Sequence, residues 1–236
     1  MGKEIVTKSE FQLANTGLVE ELKENLEGVE IDFPRIKIVH PAQLFEMPTG
    51  DTVKTFRGII LFHHSCNAWW AESYDESGGG VSPDCSSLDS IHPNLNSNDV
   101  QAKECRACPK NQWGTADKGN GKACKNMKRI YILCENDLLP SCLSIPPACK
   151  RSIDQFFTLT SMKGILLRAM VTEFRLKAAK SKDGKNFSEP DLNYNLEKTN
   201  LMILTEAQQK VIQNMRKAYM PLMKSWEIIE NVGEGM

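Results

Sequence analysis

Phe56-Arg-Gly-Ile-Ile-Leu-Phe-His-His64 and Arg129-Ile-Tyr-Ile-Leu-Cys134 are the two stretches that decide the fold. Each is a short apolar run rich in β-branched and aromatic residues, as buried strands require. Upstream, Pro34-Arg-Ile-Lys-Ile-Val-His40 alternates apolar and polar positions, the pattern of a half-buried strand. Downstream, Leu143-Ser-Ile-Pro-Pro147 predicts a short edge strand stopped by prolines. Ser152 to Met162 reads as a helix, with Ser152 as N-cap and Ile153, Phe156, Phe157 and Leu159 turned inward. Ile165 to Ala178 and Phe187 to Asn195 then form a hairpin across Ser181-Lys-Asp-Gly-Lys185.

That order predicts a mainly β (α+β) chain: a small closed β-barrel of the OB type with one capping helix. The barrel domain spans residues 31 to 200 and carries an insertion at 66 to 129. Residues 1 to 30 precede it as an amphipathic helical arm, with Phe11, Leu13, Leu18, Leu22 and Leu26 set among charges. Residues 201 to 236 follow as a separate helical tail. Thr205-Glu-Ala-Gln208 has capping-box spacing, and Val211, Ile212, Met215, Tyr219, Leu222, Met223 and Trp226 recur at helical intervals. Pro221 should kink that helix. Its apolar stripe must pack on the barrel or on a second copy, making a homo-oligomer. The last twelve residues hold three Glu and no Lys or Arg.

The chain has 236 residues, 41% of them hydrophobic and 25% charged, which is ordinary for a globular protein. No apolar run reaches the length of about 18 residues that a membrane span needs. The first ten residues lack the apolar centre of a signal peptide. The expectation is a protein of the cytoplasm, bacterial or phage-infected, with its eight cysteines reduced. Net charge is −1, so any site for a polyanion must come from local clustering.

The insertion supplies such clustering. It is glycine-rich and polar, with few residues to form a core, so it needs a staple. Cys105-Arg-Ala-Cys108 is a tight knuckle, Cys124 follows and Cys85 precedes it. Four thiolates at this spacing fit a closed tetrahedral shell around structural Zn(2+). His92 is an alternative to Cys85. Cys66, Cys134, Cys142 and Cys149 lack paired short spacing and read as buried thiols. Charge divides sharply: residues 66 to 102 carry six acids and no Lys or Arg, whereas 103 to 129 carry eight Lys and Arg against Glu104 and Asp117.

The basic half interleaves cations with rings: Lys110, Trp113, Lys122, Lys125, Lys128, Arg129 and Tyr131, with Trp69 and Trp70 where the second strand leaves the barrel. Single-stranded nucleic acid is held this way, by cations along the phosphates and rings under the bases. Enzyme signatures are missing. The lysine of Gly121-Lys122 is followed by Ala123, not Ser or Thr, so there is no phosphate loop. There is no His-x-Glu before a Pro-Cys-x-x-Cys, no Gly-x-Ser-x-Gly and no His-Glu-x-x-His. The enzymatic rival is a zinc-ribbon nuclease using His63 or His64 with His92 and Asn94. The other rival is a zinc-stabilised interaction adaptor.

Cys-x-x-Cys-Pro-x-Asn-x-Trp-Gly, then Gly-Lys-Ala-Cys-Lys, then a strand and Leu-x-Ile-Pro-Pro, is similar to proteins of tailed phages and mobile elements. Their layout resembles phage helix-destabilising proteins, over about residues 33 to 195. The resemblance implies a non-enzymatic single-stranded DNA-binding protein of replication and recombination. In it Cys85, Cys105, Cys108 and Cys124 hold zinc, neighbouring Lys and aromatic residues line the groove, and an acidic C-terminus recruits replication partners.

Overall fold

The computed structural model describes residues 11–14, 29, 32–40, 42–72, 81–117, 119–180, 184, 186–193 and 202–228. Most of the predicted N-terminal arm lies outside them. The strands are β1 (Arg35–Val39), β2 (Leu44–Glu46), β3 (Thr52–Val53), β4 (Thr55–Trp69), β5 (Cys85–Ser87), β6 (Lys125–Cys134), β7 (Ser141–Ile145), β8 (Met170–Lys180), β9 (Asn186–Pro190) and β10 (Met202–Ile203). The α-helices are α1 (Lys150–Met162) and α2 (Glu206–Ser225). The strands join in the order β10-β8-β4-β6-β7-β1-β2-β3, with β5 added to β4 and β9 to β8. This sheet curls into a half-barrel. Among the described residues no pairing joins β3 to β10.

Strong alternation on the central strands explains why the sheet is buried on both faces. Ile130, Ile132 and Cys134 of β6 point into one core with Ile60, Leu143, Phe174 and, from α1, Ile153, Phe156 and Phe157. Their neighbours Tyr131 and Leu133 point the other way, to Ile59, Leu61, Phe33 and Phe11 and to Ile212, Met215, Tyr219 and Met223 of α2. A period of two along a strand puts successive side chains on opposite faces, so each face needs its own helical cover. The tail therefore shares a core with the sheet, the first of the two packings expected for its apolar stripe. The predicted capping box at Thr205 and Gln208 is present, and α2 runs through Pro221 to Ser225.

Three local expectations change. Leu143 to Ile145 is no edge: β7 lies between β6 and β1, antiparallel to the first and parallel to the second. Cys149, not Ser152, is the N-cap of α1, and the Ser152 hydroxyl donates to the Cys149 carbonyl at 2.8 Å. β8 starts only at Met170, after a 3-10 turn at Leu167–Ala169. β9 ends at Pro190, and Asn195 lies outside the described residues.

Two details hold the central pair. The β4–β6 register shifts between Ile60 and Phe62, and the Leu61 carbonyl there accepts from Arg216 Nε of α2 at 2.9 Å. At Gly58 a Cβ would lie 2.3 Å from Ile132 Cγ2 and 3.1 Å from the Leu133 carbonyl oxygen, so only glycine fits.

Candidate metal centre and nucleic-acid interface

β4 and β6 continue well beyond the curled sheet, paired as far as Ala68 with Lys125, and β5 adds to β4 with Cys85 opposite Trp69. The insertion is thus the tip of this long hairpin, a finger rooted in two core strands. Beyond β5, hydrogen bonds replace a hydrophobic core. The Cys105 N–H donates to the Ile91 carbonyl at 2.9 Å, and the Cys124 N–H to the Lys110 carbonyl at 2.8 Å. Asn111 Nδ2 donates to the Cys105 carbonyl at 2.8 Å, and Gln112 Nε2 to the Arg106 and Cys108 carbonyls at 3.0 and 2.9 Å. These amides tie down the carbonyls of the Cys105–Cys108 knuckle, a reason for Asn-Gln after it that cysteine spacing does not reveal. Gly114 has φ +82°, and the Gly121 carbonyl accepts the N–H groups of Gly114, Thr115 and Ala116.

Cys85, Cys105, Cys108 and Cys124 line one cavity of about 20 Å³, together with Trp69, Gln101, Lys110 and Asn111. Burial, then repulsion from Cys108, Cys105 and Cys85, pushes the Cys124 thiol up to about 12. Burial also raises Cys85, with Cys108 and Cys105 adding to the effect. Among the described residues no three His, Cys, Asp or Glu side chains meet closely enough to form a finished ligand set. Four sulfurs and no carboxylate line this space, a donor set whose chemistry suits zinc. His92 does not contribute; it lies at the surface with Nδ1 3.2 Å from Asp89 Oδ2. Cys66, Cys134, Cys142 and Cys149 are buried and line no part of this cavity.

Of the residues predicted to meet nucleic acid, six form three pairs on the finger. Lys110 Nζ lies 4.6 Å from the centroid of Trp69, Lys125 Nζ 5.3 Å from Trp70 and Lys122 Nζ 5.7 Å from Trp113. Trp113 is 77% exposed. Trp69 is buried, and the indole N–H of the half-buried Trp70 donates to the Val81 carbonyl at 2.9 Å.

The other three are structural. Tyr131 is fully buried, with its hydroxyl donating to the Met223 carbonyl at 2.8 Å, so it offers no ring to a ligand. Arg129 is 3% exposed; its guanidinium donates to the carbonyls of Trp226 and Glu227 at 2.7 and 2.8 Å and lies 4.4 Å from the Trp226 ring. It caps the C-terminal end of α2, where a cation is favoured. Lys128 is buried between strand and helix, bound to Asp154 of α1 and over Phe157. Trp226, one more position of the helical stripe by sequence, lies between Arg129 and Arg35, their guanidinium groups 4.4 and 5.2 Å from its ring.

The residues of the nuclease alternative do not converge. His63 stacks on Phe157 at 4.2 Å, and burial followed by the charge of Lys128 pulls it down to about 4. His64 faces the opposite core, stacked on Phe62, with Nδ1 donating to the Leu88 carbonyl at 2.7 Å. Asn94 is bound into its own loop, its side-chain oxygen accepting the Asn96 N–H at 3.1 Å.

No family model, curated protein or solved structure matches the chain. Among the described residues no helix is long and apolar enough to cross a membrane.

Proposed function

We propose that this is a non-enzymatic single-stranded DNA-binding protein of phage or mobile-element replication and recombination, acting in the cytoplasm. In this reading the half-barrel is an OB-like core and the finger its zinc subdomain. The observation that carries it is the set of three Lys–Trp pairs on one finger, at 4.6, 5.3 and 5.7 Å, beside the cavity of the four cysteines. Lys110 belongs to both, since it lines the cavity and covers Trp69. Cys85, Cys105, Cys108 and Cys124 would hold the ion, which would serve to rigidify the finger. Lys110, Lys122 and Lys125 then meet phosphates, and the exposed Trp113 takes an unpaired base, a stack worth about 1–3 kcal/mol. The acidic residues after α2 recruit replication proteins.

The test is titration of a labelled oligonucleotide, single-stranded and duplex, at two ionic strengths. Single strands should bind more tightly, with affinity falling steeply in salt as counterions are released. Lys110→Gln, Lys122→Gln and Lys125→Gln together should flatten that slope, and Trp113→Ala should weaken binding with little change in slope. No binding at low salt, or equal affinity for duplex, would overturn the proposal.

A further inference from the structure

Two of the lysines assigned to phosphate also stand at the cysteine cavity. Lys110 is the one cation that lines it; apart from the four cysteines, the rest of the lining is Trp69 and uncharged polar side chains. Its Nζ lies 4.6 Å from the centroid of Trp69. Its backbone is tied to the same place, because the Lys110 carbonyl accepts the Cys124 N–H at 2.8 Å and the Thr115 hydroxyl at 3.1 Å. Lys122 reaches the cavity through one residue. Its Nζ donates to Asn111 Oδ1 at 3.2 Å. Asn111 lines the cavity and gives its Nδ2 to the Cys105 carbonyl at 2.8 Å.

A centre of four thiolates calls for such cations. Four sulfur charges around one divalent ion leave two negative charges uncancelled. Here they would sit where Cys105, Cys108 and Cys124 are only 7–8% exposed. Charge taken out of water destabilises unless opposite charge or hydrogen-bond donors stand close. Donors supply part of this: burial raises the Cys85 thiol, and a hydrogen bond from the Gln101 backbone works against it. Burial and the neighbouring sulfurs push Cys124 up, and the charge of Lys122 pulls the other way. Among the described residues neither Lys110 nor Lys122 is in an ion pair, so no carboxylate already cancels their charge.

We propose that Lys110 and Lys122 are positioning residues of the thiolate centre, there to compensate its negative charge as well as to meet phosphate. The proposal rests on the reading of the four cysteines as zinc ligands. Its test uses the full chain without oligonucleotide. Metal-free protein is titrated with Zn(2+) against a chromophoric chelator, and with Co(2+), whose thiolate bands report the ligand set. Wild type should bind one ion and give the cobalt spectrum of four thiolates. Lys110→Gln and Lys122→Gln should each weaken zinc by about 10–100-fold, the usual effect of removing a group that supports metal ligands. Their cobalt spectra at saturation should stay as in wild type. Lys110→Arg and Lys122→Arg keep the charge and should hold zinc nearly as tightly as wild type. Lys103→Gln removes an exposed cation outside the lining and should leave the affinity unchanged. Glutamine variants of Lys110 and Lys122 that bind as tightly as Lys103→Gln, or arginine variants that bind no better than glutamine, would overturn the proposal and leave the zinc reading standing. A wild-type chain that binds no ion would overturn both.

Discussion

Replacing Arg129 with Met tests whether this residue is a helix cap or a phosphate ligand. The side chain is 3% exposed and gives two charge-assisted hydrogen bonds, to the carbonyls of Trp226 and Glu227. Each such bond contributes about 1.5–3 kcal/mol. The guanidinium lies 4.4 Å from the Trp226 ring, a contact worth about 0.5–2 kcal/mol. Relief from burying a cation offsets part of this, because a methionine of similar length needs no solvation. The net expected loss is about 3 kcal/mol. At about 2–4 °C per kcal/mol for a chain of this size, Tm should fall by about 6–12 °C. Melting followed by circular dichroism reads the stability, and an oligonucleotide titration well below the new Tm reads function. The expected pair of results is lower Tm with unchanged affinity and salt slope. An unchanged Tm with lost affinity would refute the reasoning, because Arg129 would then have to reach solvent.

Gly58→Ala should destabilise by about 1–3 kcal/mol, the usual range for overpacking, because its Cβ meets Ile132 Cγ2 at 2.3 Å; a wild-type urea midpoint would mean that the β4–β6 pair relaxes freely. Unfolded histidine takes its proton near pH 6.5, whereas burial holds folded His63 near 4 and also lowers His40 and His64. The unfolded chain therefore binds more protons between those values, so stability is full above pH 6.5 and declines as pH falls. Urea midpoints should drop over this interval and His63→Phe should shallow the drop; a flat profile contradicts the burial. If the four cysteines hold zinc as proposed, a chelator, or Cys105→Ser, should expose the amides of residues 105–124 to hydrogen exchange while Ile130 to Leu133 stay protected. A global loss of cooperative unfolding would contradict that division, since the two cores lie outside the finger.

Much of the fold was readable because it is local. Phe56 to His64 and Arg129 to Cys134 are strands, Thr205 opens the last helix, and the apolar run at Ile153, Phe156 and Phe157 faces a core, as spacing alone requires. Spacing in a polar, glycine-rich stretch pointed to Cys85, Cys105, Cys108 and Cys124 together; the structure puts all four on the lining of one cavity, and among the described residues they form no finished ligand set. Other features were not readable. Nothing in Ser141 to Ile145 says that the strand lies between β6 and β1, since its neighbours are set by chain far away in sequence.

The residues predicted to meet nucleic acid divide along the same line. Residue types and order determined by themselves that cations and rings alternate near the finger and that its two halves oppose in charge. Only the tertiary structure decided which are available: Lys128, Arg129 and Tyr131 belong to the same basic, aromatic run as Lys125, yet α1 and the end of α2 cover them. Alternation along a strand names two faces but not what covers each. Cover comes from helices packed across the sheet, and their burial of apolar area is a long-range contact that no local pattern encodes.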